Sequence, residues 1–232
     1  MNMKKFFIVV IALIAASSTL RAEGFNITAG YTNFVEKYKI AKALPERKGL
    51  DFTEVYHGFY VGVGYTLKDV IGDCISITPG LQFVMNYGKK QHIEIYKYWP
   101  EFKDLDPGLG QEKDSYLQIP VRFSYGFETE NARFSIFAGP KFIVGMRAAF
   151  EGENGTILWY GNRGTNRVYN RFNLMLGLGG SVNIGEHFRI NVGYDWGVLN
   201  RVKADYAKGT PLNFGGNSVY ESMLTVGFGF CF

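Results

Sequence analysis

The sequence predicts an all-β chain, eight antiparallel strands in up-and-down order closed into a transmembrane barrel behind a cleaved signal peptide. Three observations predict it. Apolar and polar residues alternate with period two in eight segments, 25–31, 59–65, 75–87, 117–128, 134–146, 172–184, 188–198 and 220–232, giving each strand two chemically different faces. The connections alternate between short turns (68–73, 129–131, 185–187) and long loops (37–56, 89–114, 148–168, 200–217), which places one rim of tight turns opposite one rim of long loops. Finally, no window holds 18 consecutive apolar residues, so the chain offers no membrane-spanning helix.

The N-terminal element comes first. Residues 1–22 carry Lys4 and Lys5, an apolar run over 6–16, and small residues ending at Ala22, the pattern of a secretory signal peptide; residues 23–232 form the barrel domain. Removing Lys4, Lys5 and Arg21 from the 25 basic residues leaves 22 against 21 acidic ones, so the formal charge falls from +4 to +1. No basic stripe remains to neutralise phosphates, and nucleic-acid binding is excluded as a function. The 47% hydrophobic content excludes wholesale disorder.

The strands then decide between water and lipid. In 117–128 the odd positions are Leu117, Ile119, Val121, Phe123, Tyr125 and Phe127, and the even ones include Gln118, Arg122, Ser124 and Glu128. Of the 29 glycines, Gly62, Gly64, Gly80, Gly139, Gly145, Gly177, Gly179, Gly193, Gly227 and Gly229 fall on the polar parity. Glycine weakens a strand and has no reason to crowd a solvated face, but it relieves packing inside a narrow barrel. The polar face is therefore the lumen and the apolar face meets lipid. Two aromatic belts agree: Phe25, Tyr65, Phe127, Phe134, Phe188 and Phe230 at one rim, Tyr31, Phe59, Tyr87, Trp196 and Tyr220 at the other. The chain ends at Phe232 on the lipid parity, the form of a terminal signal read by outer-membrane barrel-assembly machinery. The location expected is the outer membrane of a Gram-negative bacterium. A soluble lipocalin-like periplasmic carrier is the alternative, with the apolar face turned inward.

Particular motifs carry a family resemblance. Tyr116, Leu117, Gln118, Ile119, Pro120 and Val121 resemble the fourth-strand motif of the Bacteroidetes outer-membrane beta-barrel family, the PorT-like or porin-family eight-stranded barrels. Phe137, Ala138, Gly139, Pro140 and Lys141 are similar to its fifth-strand motif, and 171–183, Gly193, Tyr194 and the last strand continue the likeness over the mature chain. The resemblance implies an eight-stranded outer-membrane barrel; PorT itself implies a part in type IX secretion.

Candidate chemistry lies in two places. On the alternating parity the lumen receives Gln82, Gln118, Arg122, Lys141, Arg147, Arg171, Arg189, Asp195 and Glu221, read as a paired network that fills the barrel. The excess of Arg and Lys in this set raises the alternative of a small, anion-preferring porin. In the long loops, Tyr96, Tyr98, Trp99 and Phe102, with Trp159 and Tyr160 beside Arg163 and Arg167, are contact candidates for lipopolysaccharide or an envelope protein, or else cap the mouth. His57, His92 and His187 have no metal-ligand spacing, no cofactor motif is present, and isolated rim groups such as His57 near Asp51 make a weak case for lipid-modifying catalysis. Cys74 and Cys231 fall on strands three and eight, almost opposite around the ring, which favours two free thiols over a disulfide. The function expected is a structural or binding role through the long extracellular loops, not an enzyme. A PorT-like secretion component or small porin is the alternative within the membrane.

Overall fold

The computed structural model describes residues 22–40, 50–71, 75–88, 91–92, 109–129, 132–161, 169–185, 187–202 and 218–232. Of the signal peptide expected over 1–22, residues 1–21 lie outside them, as do Cys74 and the loop candidates Tyr96, Tyr98, Trp99 and Phe102. Ten strands are described: β1 (Ala22–Ile40), β2 (Leu50–Ile71), β3 (Ile75–Gly88), β4 (Gln91–His92), β5 (Leu109–Glu128), β6 (Ala132–Gly152), β7 (Gly155–Leu158), β8 (Phe172–Ile184), β9 (Phe188–Gly197) and β10 (Ser218–Cys231). All join one antiparallel sheet. Eight of them form the ring β1-β2-β3-β5-β6-β8-β9-β10, closed by β1 on β10 with Asn26 opposite Cys231; β4 and β7 are short additions on β5 and β6. Closure removes the free strand edges that an open sheet would expose to lipid.

The predicted parity fits the faces. Even positions of β1, β2, β3 and β5 point inward, as Thr28, Thr32, Gln82, Asn86 and Gln118 do, all buried. The outward set is apolar and exposed, including Ile27, Val61, Val63, Leu178, Val192 and Phe228. Large aliphatic and aromatic side chains thus face out while Asn, Gln, Thr and charged groups are enclosed, the inverse of a soluble domain. This distribution overturns the soluble-carrier alternative. At the turn rim, the belt is continuous: Phe25 meets Phe232 at 5.9 Å, Phe230 meets Phe188 at 5.7 Å, and Phe127 stacks on Phe134 at 5.5 Å.

Three features depart from the sequence reading. Much of what reads as loop is strand: β1 and β2 stay paired to Ile40 and Leu50, and β5 and β6 stay paired up to Gly110 and Gly152. The barrel wall therefore rises beyond the upper aromatic belt as a collar. Second, a β-bulge interrupts β6, where Tyr116 pairs with Gly145 but Ser115 pairs with Arg147, leaving Met146 as an extra residue. An inserted residue reverses the alternation beyond it, so Arg147, expected in the lumen, points outward with its side chain 56% exposed. Third, Arg171, also expected inside, lies in a bend before β8, exposed, with Nη1 donating to the carbonyls of Gly145 and Met146 at 3.1 Å each. It clamps the bulge from outside.

Candidate functional site

The lumen is divided into three layers. At its waist, Phe34, Tyr56, Tyr60, Val84, Tyr116, Ile143, Met175 and Met223 form one buried cluster drawn from seven of the eight ring strands. Phe34 packs against Tyr56 at 5.9 Å and Tyr116 at 5.6 Å. An eight-stranded interior is just wide enough for side chains to fill, and here apolar ones fill it. Gln118, fully buried beneath, donates from Nε2 to the Met223 sulfur at 3.8 Å. This plug closes the waist of the lumen.

Above the waist lies an acidic cage of which the sequence reading placed only Glu221 in the lumen. Glu36 on β1, Glu54 on β2, Glu112 and Asp114 on β5 and Glu221 on β10 occupy inward positions in the collar. Arg201 descends into the cage from the segment after β9 and is only 1% exposed. Its Nη1 pairs with Glu36, its Nη2 with Asp114 at 3.0 Å and its Nε with Glu221 at 3.1 Å. The same guanidinium lies 4.3 Å from the Tyr169 ring centre, with Tyr116 and Tyr160 at 5.7 and 5.9 Å. Neutral donors complete the cage: Tyr116 to Asp114 at 2.5 Å, Asn173 to Glu221 at 2.5 Å, and Tyr56 to Glu54 at 2.6 Å and Glu36 at 3.2 Å. The backbone that carries Arg201 is held by its own amide on Val219 O at 2.9 Å and by Asn170 N on its carbonyl at 2.7 Å.

Tyr160 and Trp159 belong to this cap. Tyr160 is buried with Ala148 and Tyr169, and Trp159 packs on Tyr169 at 5.5 Å. Of the two readings the sequence left open for Tyr160, contact or cap, its burial here is that of a capping residue. Gly145 admits it, since a Cβ there would overlap the Tyr160 phenol. Arg171 stacks on the outer side of the same ring at 4.9 Å.

The cage makes the cap pH-dependent. Burial, then the Asp114 and Glu54 charges, hold Glu112 well above the usual carboxylate range, and burial pushes Asp114 up to about 8 against the pull of the Tyr116 hydroxyl. A carboxyl whose folded pKa exceeds its unfolded value contributes stability that is complete below the unfolded value, near pH 4, and is lost as pH rises through the folded one. Amide hydrogen exchange at Tyr160 and Tyr169, corrected for intrinsic rates, is expected to be less protected at pH 8.5 than at pH 5.5. Equal protection at the two values would contradict this.

Below the waist the charge reverses. Lys141 donates to Asp195 at 2.5 Å, both buried, from β6 to β9. Gly177 makes room, because a Cβ there would overlap the Asp195 carboxylate. Arg122 lies over the Phe137 ring at 4.5 Å, and Arg189 Nε donates to Asn183 at 2.7 Å. Of the expected lumen residues, the structure brings together Lys141 with Asp195, and Glu221 with the unforeseen Arg201. Gln118 sits at the waist, Arg122 below it, and Arg147 and Arg171 outside.

His57 points outward and meets the Tyr31 hydroxyl at 2.5 Å, on the side of the wall facing away from the cage. Among the described residues no group of three His, Cys, Asp or Glu side chains is arranged to hold a metal ion. Cys231 is a free thiol.

Comparison with known proteins gives the family. The sequence pattern of the family described as outer membrane protein beta-barrel domain matches residues 24–201, more than three quarters of the chain. Among solved structures, the chain is similar to Neisserial surface protein A, with 13% identity over 91% of this chain and 99% of that one and a TM-score of 0.50. It is also similar to Ail of Yersinia pestis in complex with the heparin analogue sucrose octasulfate (14% identity, 90% and 99% covered, TM-score 0.43). OprG of Pseudomonas aeruginosa is a third (13%, 91% and 99%, 0.42). At such identities the likeness is one of fold. A search of curated proteins finds no match.

Proposed function

The chain belongs to the outer membrane protein beta-barrel family and resides in the outer membrane of a Gram-negative bacterium, and from that premise we propose that it is a non-catalytic envelope barrel whose rigid extracellular collar binds lipopolysaccharide. The observation that carries this reading is the outward face of the collar. Beyond Tyr31 and Phe59, past the outward pair Val35 and Val55, the wall carries cations, with Lys37 and Lys39 on β1, Lys113 on β5, Arg147 on β6 and Arg171 before β8. Glu151 is shared between Lys113 at 2.5 Å and Arg147 at 2.7 Å, so one carboxylate serves two cations. Cations on this face suit a leaflet that carries phosphates, each contributing about 1 kcal/mol near an anionic surface. The plugged lumen supports a role for the wall rather than for transport. Phe232, exposed at the end of β10, supports recognition of the terminal aromatic by the barrel-assembly machinery.

The test replaces Lys37 and Lys113 with Gln and measures binding of purified lipopolysaccharide to the detergent-folded protein. Two lost cations, at about 1 kcal/mol each, are expected to weaken binding by roughly tenfold or more. Binding equal to that of the parent would count against the collar. The motifs at 116–121 and 137–141 support a PorT-like place within the family, in which the collar meets a protein partner of the envelope; a secretion defect on deleting the gene, with lipopolysaccharide binding unaffected, would favour that second reading.

A further inference from the structure

The turn-side end of the lumen holds a chamber that the Lys141–Asp195 pair leaves unused. It opens at the rim and is lined from seven of the eight ring strands. Its walls are hydroxyls and guanidinium groups. Ser135 and Ser181 meet across β6 and β8 at 2.7 Å, and Thr66 and Thr78 across β2 and β3 at 3.0 Å. Arg122, Arg133 and Arg189 line it with them, and among the described residues no carboxylate does.

The charge arrangement is what calls for a ligand. Asp195, the carboxylate within electrostatic reach of Arg122, is already held by Lys141. Arg122 and Arg189 are also within reach of each other, and like charges enclosed by a lipid-embedded wall disfavour one another unless an anion joins them. Both are orientated. The Arg122 guanidinium lies over the Phe137 ring, and among the described residues Arg189 is held through Nε, on Asn183, with its terminal nitrogens turned to the chamber it lines. Two guanidinium forks set among hydroxyl donors suit a tetrahedral oxyanion, which accepts hydrogen bonds in several directions, better than a planar carboxylate. Access is from one side only, because the apolar plug closes the waist and the acidic cage above it repels anions.

We propose that this chamber is a phosphate-binding site entered from the periplasm, with Arg122 and Arg189 as its principal contacts and the Ser and Thr hydroxyls completing the shell. The phosphate comes either free or as the headgroup of an inner-leaflet phospholipid at the rim.

The experiment follows the phosphorus NMR line of inorganic phosphate added to the full chain folded in octyl glucoside at constant ionic strength. The parent protein is expected to broaden the line saturably, and R122Q/R189Q, checked for heat-modifiable migration, to bind at least about tenfold more weakly. Should that variant not fold, R189Q alone, altered near the open mouth, is expected to bind at least about fivefold more weakly. Repeating the titration in nanodiscs separates the sources: phosphatidylglycerol that suppresses the broadening assigns the headgroup, and broadening that persists assigns free phosphate. No saturable broadening by the parent protein, or equal broadening by the variants, overturns the site.

Discussion

Replacing Arg201 with Met is expected to destabilise the protein by about 3–5 kcal/mol, the usual cost of removing one partner from a buried ion-pair network. Arg201 is the single described cation inside a cage that holds Glu36, Asp114 and Glu221 within ion-pair distance, with Glu54 and Glu112 close by. Without it, Glu36, Asp114 and Glu221 remain enclosed with no cation among the described residues to pair with. The loss should fall first on the cap, because the segment carrying Arg201 also positions Tyr169, whose backbone bridges to Val202. Urea unfolding in lipid vesicles, read by heat-modifiable migration, measures the total; proteolysis between residues 160 and 202 reads the cap. A second signature separates charge from shape. The Met variant should recover part of its deficit at pH 5, where the carboxyls can protonate, and show its full deficit at pH 8. A midpoint equal to that of the parent at both pH values would remove Arg201 from the centre of the cage. Arg201→Lys, which keeps the charge but loses the fork, should fall between the two.

The difference between this cage and the rest of the lumen shows what alternation makes legible. Within the lipid band the two faces contrast, so Leu117, Ile119 and Val121 against Gln118 and Arg122 read directly as outside and inside. Above the belt that contrast disappears, since the outward residues Asn33, Lys37, Thr53, Lys113 and Ser115 are themselves polar. Glu36, Glu112 and Asp114 then look like loop charges. Extending the even parity of Thr32 and Phe34 to Glu36, and of Gln118 and Tyr116 back to Asp114 and Glu112, would have found them. Arg147 could not be placed in this way, because the extra residue at Met146 changes the parity without changing the hydrophobic pattern around it. Arg201 follows no period at all. Its position depends on contacts of Asn170, Asn200 and Val219 made across the barrel mouth. Tyr160 was visible as an aromatic in a loop, but its burial depends on the space above Gly145, which only the fold reveals.

Below the waist, Lys141→Met is expected to cost about 3–5 kcal/mol, because it leaves the Asp195 carboxylate enclosed with its charge unmatched. The pair joins β6 to β9 over the intervening strand β8, so the cost should appear in the global unfolding midpoint rather than in local opening. Adding Asp195→Asn to the same chain removes the orphaned charge at nearly constant shape, fitting the gap that Gly177 provides. The double variant should therefore regain most of the stability lost by Lys141→Met alone. That outcome would mean the pair is kept to neutralise itself rather than to hold the barrel together, since buried pairs are often no more stabilising than neutral groups of similar volume. A double variant as unstable as the single one would instead assign Lys141 a further role, as a cation that Arg122 and Arg189 cannot replace.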